Sequence, residues 1–246
     1  MQLLIGVPVH NEERHIDAVL AEIRRYGGDI FVVDDGSTDG TPARLAAMAG
    51  IEVHSHRVNE GYGQSIIDIF DRAMSGGYDW VITLDADEQH EPSSIREFVR
   101  VAAEDDADII SGSRYLRQSL HEGAAPDERR WINCQLTCLL NELTGYGLTD
   151  SFCGFKAYRV EDLGKLHLTE KGYSMPLQLW IQAWRAGLLV REIPIKLIYK
   201  DPNRRFGGGL DDARRRLRYY LDTIGRELGR HLEPVCDGRR PECPCL

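Results

Sequence analysis

Five short apolar runs, at residues 3–9, 30–33, 51–54, 78–84 and 108–111, are separated by stretches with helical periodicity. Runs of this length, rich in Val and Ile and bounded by Gly or polar clusters, read as strands. The first intervening stretch places Ile16, Val19, Leu20 and Ile23 on one helical face. Such alternation predicts a parallel sheet with helices on both faces. Ligands of such sheets sit at the carboxyl ends of the strands. The polar motifs fall at those ends: residues 8–12, 34–35, 59–63 and 85–89. Four unrelated solvated loops would not have to share one edge, so a single converged site is expected.

Composition narrows the class. The chain has 246 residues, 42% of them hydrophobic, enough for a full core. No run approaches the roughly 20 apolar residues of a membrane span. A strand begins almost at the N-terminus, so no signal peptide is expected, and the protein is placed in the cytoplasm with reduced thiols. The net charge of −9 argues against nucleic-acid binding. Basic residues gather after Arg191, through a helix expected at 211–231. They predict contact with phosphates or an anionic membrane surface, against the plainer reading of a solvated helix face. Three of the six cysteines, Cys236, Cys243 and Cys245, lie in a tail at 233–246 without the tight spacing of a zinc site.

The chemistry centres on Asp85-Ala86-Asp87 and Gln89. Two carboxylates one residue apart at a strand end repel unless a cation lies between them. Oxygen-only ligands suit Mg²⁺ or Mn²⁺. The alternative is a solvated acidic turn before a helix opening at Pro92. Asp35 has the reach to accept from a base amide or a ribose hydroxyl. The chain has no G-x-x-x-x-G-K-[ST] loop, and no G-x-G-x-x-G follows its first strand. ATPase and dinucleotide readings are therefore weak, and a site that binds nucleotide phosphates through a metal fits better.

Six stretches together resemble family 2 glycosyltransferases of the GT-A fold, nearest to the dolichyl-phosphate (polyprenyl-phosphate) mannose synthases. They are Val7-Pro-Val-His-Asn-Glu-Glu13, Val33-Asp-Asp-Gly-Ser-Thr-Asp-Gly-Thr41, Asn59-Glu-Gly-Tyr-Gly63, Leu84-Asp-Ala-Asp-Glu-Gln-His-Glu-Pro92, Gly112-Ser-Arg-Tyr115 and Asp150-Ser-Phe-Cys-Gly-Phe-Lys-Ala-Tyr-Arg159. The resemblance implies a single-domain, Rossmann-like mixed sheet flanked by helices over residues 1–210, with a nucleotide-sugar half (1–115) and an acceptor half (116–210). It implies donor contacts at Pro8, Asn11, Glu12, Asp35, Asn59, Gly61, Asp85, Ala86 and Asp87, and a divalent ion on Asp85, Asp87 and Gln89. The metal would act as a Lewis acid on the departing nucleoside diphosphate, with inversion at the sugar.

For the acceptor, Arg114 and Arg129 are the candidate phosphate partners, with Arg130 beside them. Where the resembling branch has an Arg and a Ser four residues apart, this chain has Arg129 and Asn133. Its Cys153 and Lys156 also replace a Ser and an Arg of the family pattern. Asp150 is the general base if the acceptor is an alcohol. With a phosphate monoester, second pKa about 6, no base is needed and Asp150 would orient Arg114. A polar stretch at 116–128 reads as a loop or lid, and Arg204 and Arg205 stand in a glycine loop that would close over the diphosphate.

The expected activity is therefore transfer from a nucleotide sugar, GDP-mannose first, to a polyprenyl or dolichyl phosphate. The enzyme would work peripherally at the cytoplasmic face of a membrane, through its basic helix or a membrane-spanning partner. A UDP-sugar transferase with a lipid, glycan or small-molecule acceptor is the alternative, and a nucleotide-sugar-binding scaffold the non-enzymatic one.

Overall fold

The computed structural model describes residues 1–122, 126–198, 209–229 and 232. In chain order the strands are β1 (Leu3–Val9), β2 (Asp29–Asp34), β3 (Glu52–Ser55), β4 (Trp80–Thr83), β5 (Ile109–Ser113), β6 (His121–Glu122), β7 (Lys156–Arg159), β8 (Val190–Pro194) and β9 (Leu197–Ile198). The helices are α1 (Ile16–Ile23), α2 (Thr41–Ala47), α3 (Tyr62–Gly76), α4 (Ile95–Ala102), α5 (Asp127–Thr144), α6 (Val160–Leu163), α7 (Met175–Arg185) and α8 (Ala213–Leu228).

Seven strands form one sheet in the order β3-β2-β1-β4-β7-β5-β8. The sheet is mixed, as the family resemblance implies: the five strands read from the strand–helix alternation, β1 to β5, run parallel to one another, and β7 is reversed among them. β7 runs antiparallel between β4 and β5, with Lys156 opposite both Thr83 and Ser111. The start of β7 thereby lies at the carboxyl edge of β4. The turn before it, residues 150–155, is brought to the same edge as the Asp85–Asp87 turn. The Thr83 hydroxyl donates to the Gly154 carbonyl at 2.8 Å and ties the two together.

Alternation along the strands builds two cores, one on each face. Leu4, Val33, Val81, Ile109 and Tyr158 join the side of α3, α5, α7 and α8. Ile5, Val32, Ile82, Ile110 and Ala157 join the side of α1 and α4. α7 is buried nearly all round, with Trp180 and Ile181 fully enclosed, so its apolar composition is core. The basic helix α8 buries Tyr220, Leu221 and Ile224 in the first of these cores, while Arg214, Arg215 and Arg218 are exposed.

Other expectations change in detail. Two residues separate β8 from β9, and β9 pairs in parallel with β6 in a small second sheet. The 116–128 stretch, read as a loop or lid, thus contributes β6 to this pairing, and its last two residues open α5 at Asp127. Cys138 and Cys153 stand outside any disulfide, but Cys134 is disulfide-bonded, against the expectation of reduced cysteines. Among the described residues no helix is long and apolar enough to cross a membrane. The glycine loop with Arg204 and Arg205, and the cysteines of the tail, lie outside the described residues.

Candidate active site

A cleft of about 560 Å³ opens at the carboxyl edge of the sheet. Its lining joins the separated motifs. Pro8 and Glu12 come from the end of β1, Asp35 from the end of β2, and Asn59 and Gly61 from the loop entering α3. Asp85, Ala86, Asp87 and Gln89 follow β4, and Arg114 follows β5. Arg129 and Asn133 project from α5. Asn11 and Asp150 do not line the cleft.

Asn11 instead braces the loop after β2. Its side-chain oxygen accepts from the Thr38 amide at 2.8 Å and the Asp39 amide at 3.3 Å. The residue holds a φ of 58°, a left-handed conformation that asparagine tolerates better than most. Asp39 accepts from the Thr41 amide at 2.9 Å, as expected of a capping group, although Gly40 is the formal N-cap of α2.

Asp35 is 3% exposed and fastens three elements. Its Oδ1 accepts from the Glu60 amide at 2.6 Å and from His56 Nδ1 at 2.8 Å, and its Oδ2 accepts from the Gly61 amide at 2.9 Å. The other ring nitrogen of His56 lies 2.7 Å from Asp68 Oδ2. Burial alone would lower the His56 pKa, but the hydrogen bonds to Asp35 and Asp68 outweigh it and raise it. Asp35 thus sets the height of the 59–61 loop above the sheet. Gly61 is required there: its φ is +107°, and a Cβ would meet the Lys171 carbonyl oxygen at 2.3 Å.

The acidic turn is held from below. The Asp87 carboxylate accepts from the Gln89 amide at 3.0 Å. His90, side chain 3% exposed, puts Nε2 3.6 Å from Asp85 Oδ2 and packs against Phe155. The donor set of Asp85, Asp87 and Gln89 is all oxygen and faces the cleft, which fits a hard divalent ion. The backbone also leaves room for these groups, since a Cβ on Gly154 would come within 2.5 Å of Asp85 Oδ2. Beneath them lies Lys156, 2% exposed, donating to the Cys153 carbonyl and resting over the Trp180 ring. Burial lowers its pKa, an effect the carboxylates of Asp150 and Asp85 oppose.

Arg114 and Asp150 form a two-pronged pair, Nε to Oδ2 at 2.6 Å and Nη2 to Oδ1 at 2.9 Å. Burial would raise the Asp150 pKa, but the charge and hydrogen bonds of Arg114 hold it below the ordinary carboxylate value. Glu192 braces the same turn by accepting from the Thr149 and Asp150 amides.

Tyr173, Arg216 and Tyr220 line the cleft but lie outside the motifs read from the sequence. Tyr62, from the 59–63 motif, and Tyr173 stack with centroids 6.1 Å apart. Phe152 and Tyr220 pack together at 5.2 Å, and Arg216 lies one turn before Tyr220 on α8. Arg216 had a signal available: it shares a helical face with Tyr220, Thr223 and Ile224, so it lies on the buried side of a basic helix.

The family model for glycosyl transferase family 2 matches residues 4–166, about two thirds of the chain. A protein of Mycolicibacterium smegmatis named polyprenol monophosphomannose synthase is 32% identical over 206 residues, covering 78% of this chain and 76% of that one. A Methanococcus voltae protein named UDP-N-acetylglucosamine–dolichyl-phosphate N-acetylglucosaminyltransferase is 29% identical over 214 residues, covering 79% and 85%. Among solved structures, glucosyl-3-phosphoglycerate synthase of Mycobacterium tuberculosis, in complex with Mn²⁺, uridine diphosphate and glucosyl-3-phosphoglycerate, superposes with a TM-score of 0.71 at 21% identity. That match covers 96% of this chain and 81% of the other, and it shows the GT-A fold. The chain belongs to glycosyl transferase family 2 and is a glycosyltransferase.

Proposed function

We propose that this enzyme transfers mannose from GDP-mannose to a polyprenyl phosphate, with inversion at the anomeric carbon and with a divalent metal. The observation that carries the reading is the make-up of the cleft. One lining brings together an all-oxygen acidic set, Asp85, Asp87 and Gln89, and the cations Arg114 and Arg129 with Asn133. The acidic set suits a diphosphate held through a metal, and the cations suit a second, separate phosphate. The named activity of the M. smegmatis relative supports mannose and a polyprenyl monophosphate.

In the proposed reaction an acceptor phosphate oxygen attacks the anomeric carbon. The bond from that carbon to the donor diphosphate breaks, and its electron pair leaves with the diphosphate oxygen. The acceptor oxygen is already anionic near neutral pH, so no side chain needs to remove a proton. Asp85, Asp87 and Gln89 would hold Mn²⁺ or Mg²⁺, which when bound neutralises charge on the leaving group. Asp35 positions the 59–61 loop for the nucleoside, with Pro8 and Glu12 beside it. Asp150 holds Arg114 toward the acceptor. Arg204 and Arg205 are proposed to add positive charge over the diphosphate. The enzyme would act peripherally at the cytoplasmic face of a membrane, where its acceptor resides, with the exposed arginines of α8 or a membrane-spanning partner providing attachment.

A second reading, transfer from a UDP-sugar, is favoured by the named activity of the M. voltae relative. The Asp87→Ala variant tests the enzymatic reading common to both. Loss of turnover, with the fold intact by circular dichroism, supports a metal-assisted transferase. Unchanged turnover would contradict it.

A further inference from the structure

Helix α8 carries a run of arginines, and one of them differs from the rest. Arg214, Arg215, Arg218 and Arg226 are exposed, whereas Arg216 is 3% exposed and lines the cleft. One arm of its guanidinium is fixed, with Nη1 donating to the Leu210 carbonyl at 2.6 Å. The other arm, Nη2, donates to Glu128 Oε1 at 2.8 Å. The pair is lopsided, because the Glu128 side chain is 56% exposed. An exposed carboxylate stays largely hydrated, so such a pair is easier to part than one enclosed on both sides. Here the cation is built into the cleft lining and its carboxylate is more than half exposed.

Arg216 also stands among the acceptor candidates. Tyr220, one turn further along α8, is buried at 2% exposure and lines the same cleft. Arg129, from α5, lines this cleft too, so two arginines from different helices share one lining with Tyr220; burial raises the Tyr220 phenol pKa, and the charges of both arginines oppose that rise. Glu128 immediately precedes Arg129 in the first turn of α5, where the helix dipole favours an anion.

We infer that Arg216 is part of an anion subsite with Arg129, and that this subsite takes the phosphate monoester of the acceptor while Glu128 holds its place in the unliganded protein. The inference rests on the proposed lipid-phosphate acceptor and adds to it a residue from α8. A phosphate dianion carries more charge and more acceptor oxygens than a carboxylate, so it displaces Glu128 toward solvent, where that side chain is already half placed. The fixed arm on Leu210 keeps the guanidinium aimed during the exchange. An uncharged polyprenol gains nothing from this subsite, so Arg216 selects phosphate over alcohol.

The test measures binding without donor, so it does not depend on turnover. A short-chain polyprenyl monophosphate, the matching alcohol and inorganic phosphate are titrated by calorimetry into the full chain and into Arg216→Gln, Arg216→Lys and Glu128→Gln. Thermal melting checks that each variant is folded. Arg216→Gln should bind the monophosphate roughly tenfold or more weakly, with alcohol binding unchanged. Arg216→Lys should fall between, because it keeps the charge and loses the fork, and Glu128→Gln should bind the monophosphate more tightly. Equal monophosphate affinity in wild type and a folded Arg216→Gln would overturn the inference, as would parallel loss of phosphate and alcohol binding or no monophosphate binding by wild type. If inorganic phosphate binds through Arg216 as tightly as the lipid phosphate, the subsite stands and the lipid acceptor of the proposed function fails.

Discussion

The Asp150 carboxylate, 1% exposed, is held by the Arg114 side chain through two hydrogen bonds, at 2.6 and 2.9 Å. A carboxylate gripped this way by a cation is a poor proton acceptor. The arrangement suits the orienting role for Asp150 better than that of a base. Replacing Asp150 by Asn leaves the Arg114 charge without its counter-ion, at a cost of about 3–5 kcal/mol if the site does not relax. The folded-state pKa of Asp150 is depressed, so its stabilisation is present above the unfolded value near 3.9 and is lost as pH falls through the lower folded value. Asp150→Asn should therefore lower the melting temperature at neutral pH and lessen the acid sensitivity of unfolding. Its acceptor KM should rise more than its donor KM. The acidic limb of the rate profile should stay, since it belongs to the acceptor phosphate with its second pKa of about 6. Loss of that limb in the variant would identify Asp150 as the base.

Gly154 leaves space for Asp85. A Cβ there would lie 2.5 Å from Asp85 Oδ2 and 2.9 Å from the Tyr62 hydroxyl. Both are ends of side chains that can shift, so Gly154→Ala should fold. The displaced Asp85 should weaken activation by Mn²⁺ by roughly tenfold or more, with acceptor binding little changed. A metal titration of activity checks this, and an unaltered Mn²⁺ midpoint would contradict the assignment of Asp85 as a ligand.

His56 links Asp35 to Asp68 and has a raised pKa. The sign follows from linkage: its stabilisation is fully present below the unfolded value near 6.5 and is lost as pH rises through the higher folded value. Wild-type stability to urea should therefore decline from about pH 6.5 upward, and His56→Gln should flatten that decline. The variant should also raise the donor KM, because Asp35 holds the Glu60 and Gly61 amides. An identical pH dependence in both proteins would show that His56 is not the titrating group.

Much of this site was legible from local pattern. Apolar runs ending in Asp34-Asp35 and Asp85-Ala86-Asp87 place those residues at strand ends, and a parallel register of β1, β2 and β4 brings the ends to one edge. The antiparallel entry of β7 was not legible from periodicity. Residues 156–159 are short, and their pairing with both β4 and β5 depends on contacts far apart in sequence. The family resemblance implied the mixed sheet where the pattern alone did not. Five arginines in one helix look like a solvated face, and only the phase of Tyr220 and Ile224 separates Arg216 from its neighbours. The resemblance implies ligand contacts for Asp35 and Asn11, whereas much of their hydrogen bonding goes to loops of the protein itself.

The central claim is sugar transfer to a lipid phosphate, and a transfer assay tests it most directly. The purified protein with Mn²⁺ is given GDP-mannose, UDP-glucose or UDP-N-acetylglucosamine, with and without a short polyprenyl phosphate, and products are read by mass spectrometry. The account predicts a mannosyl phospholipid from GDP-mannose, dependent on metal and on the phosphate of the acceptor. A glycosyl phospholipid formed only from a UDP-sugar would contradict the donor assignment, and no glycosyl phospholipid from any donor would contradict the claim itself.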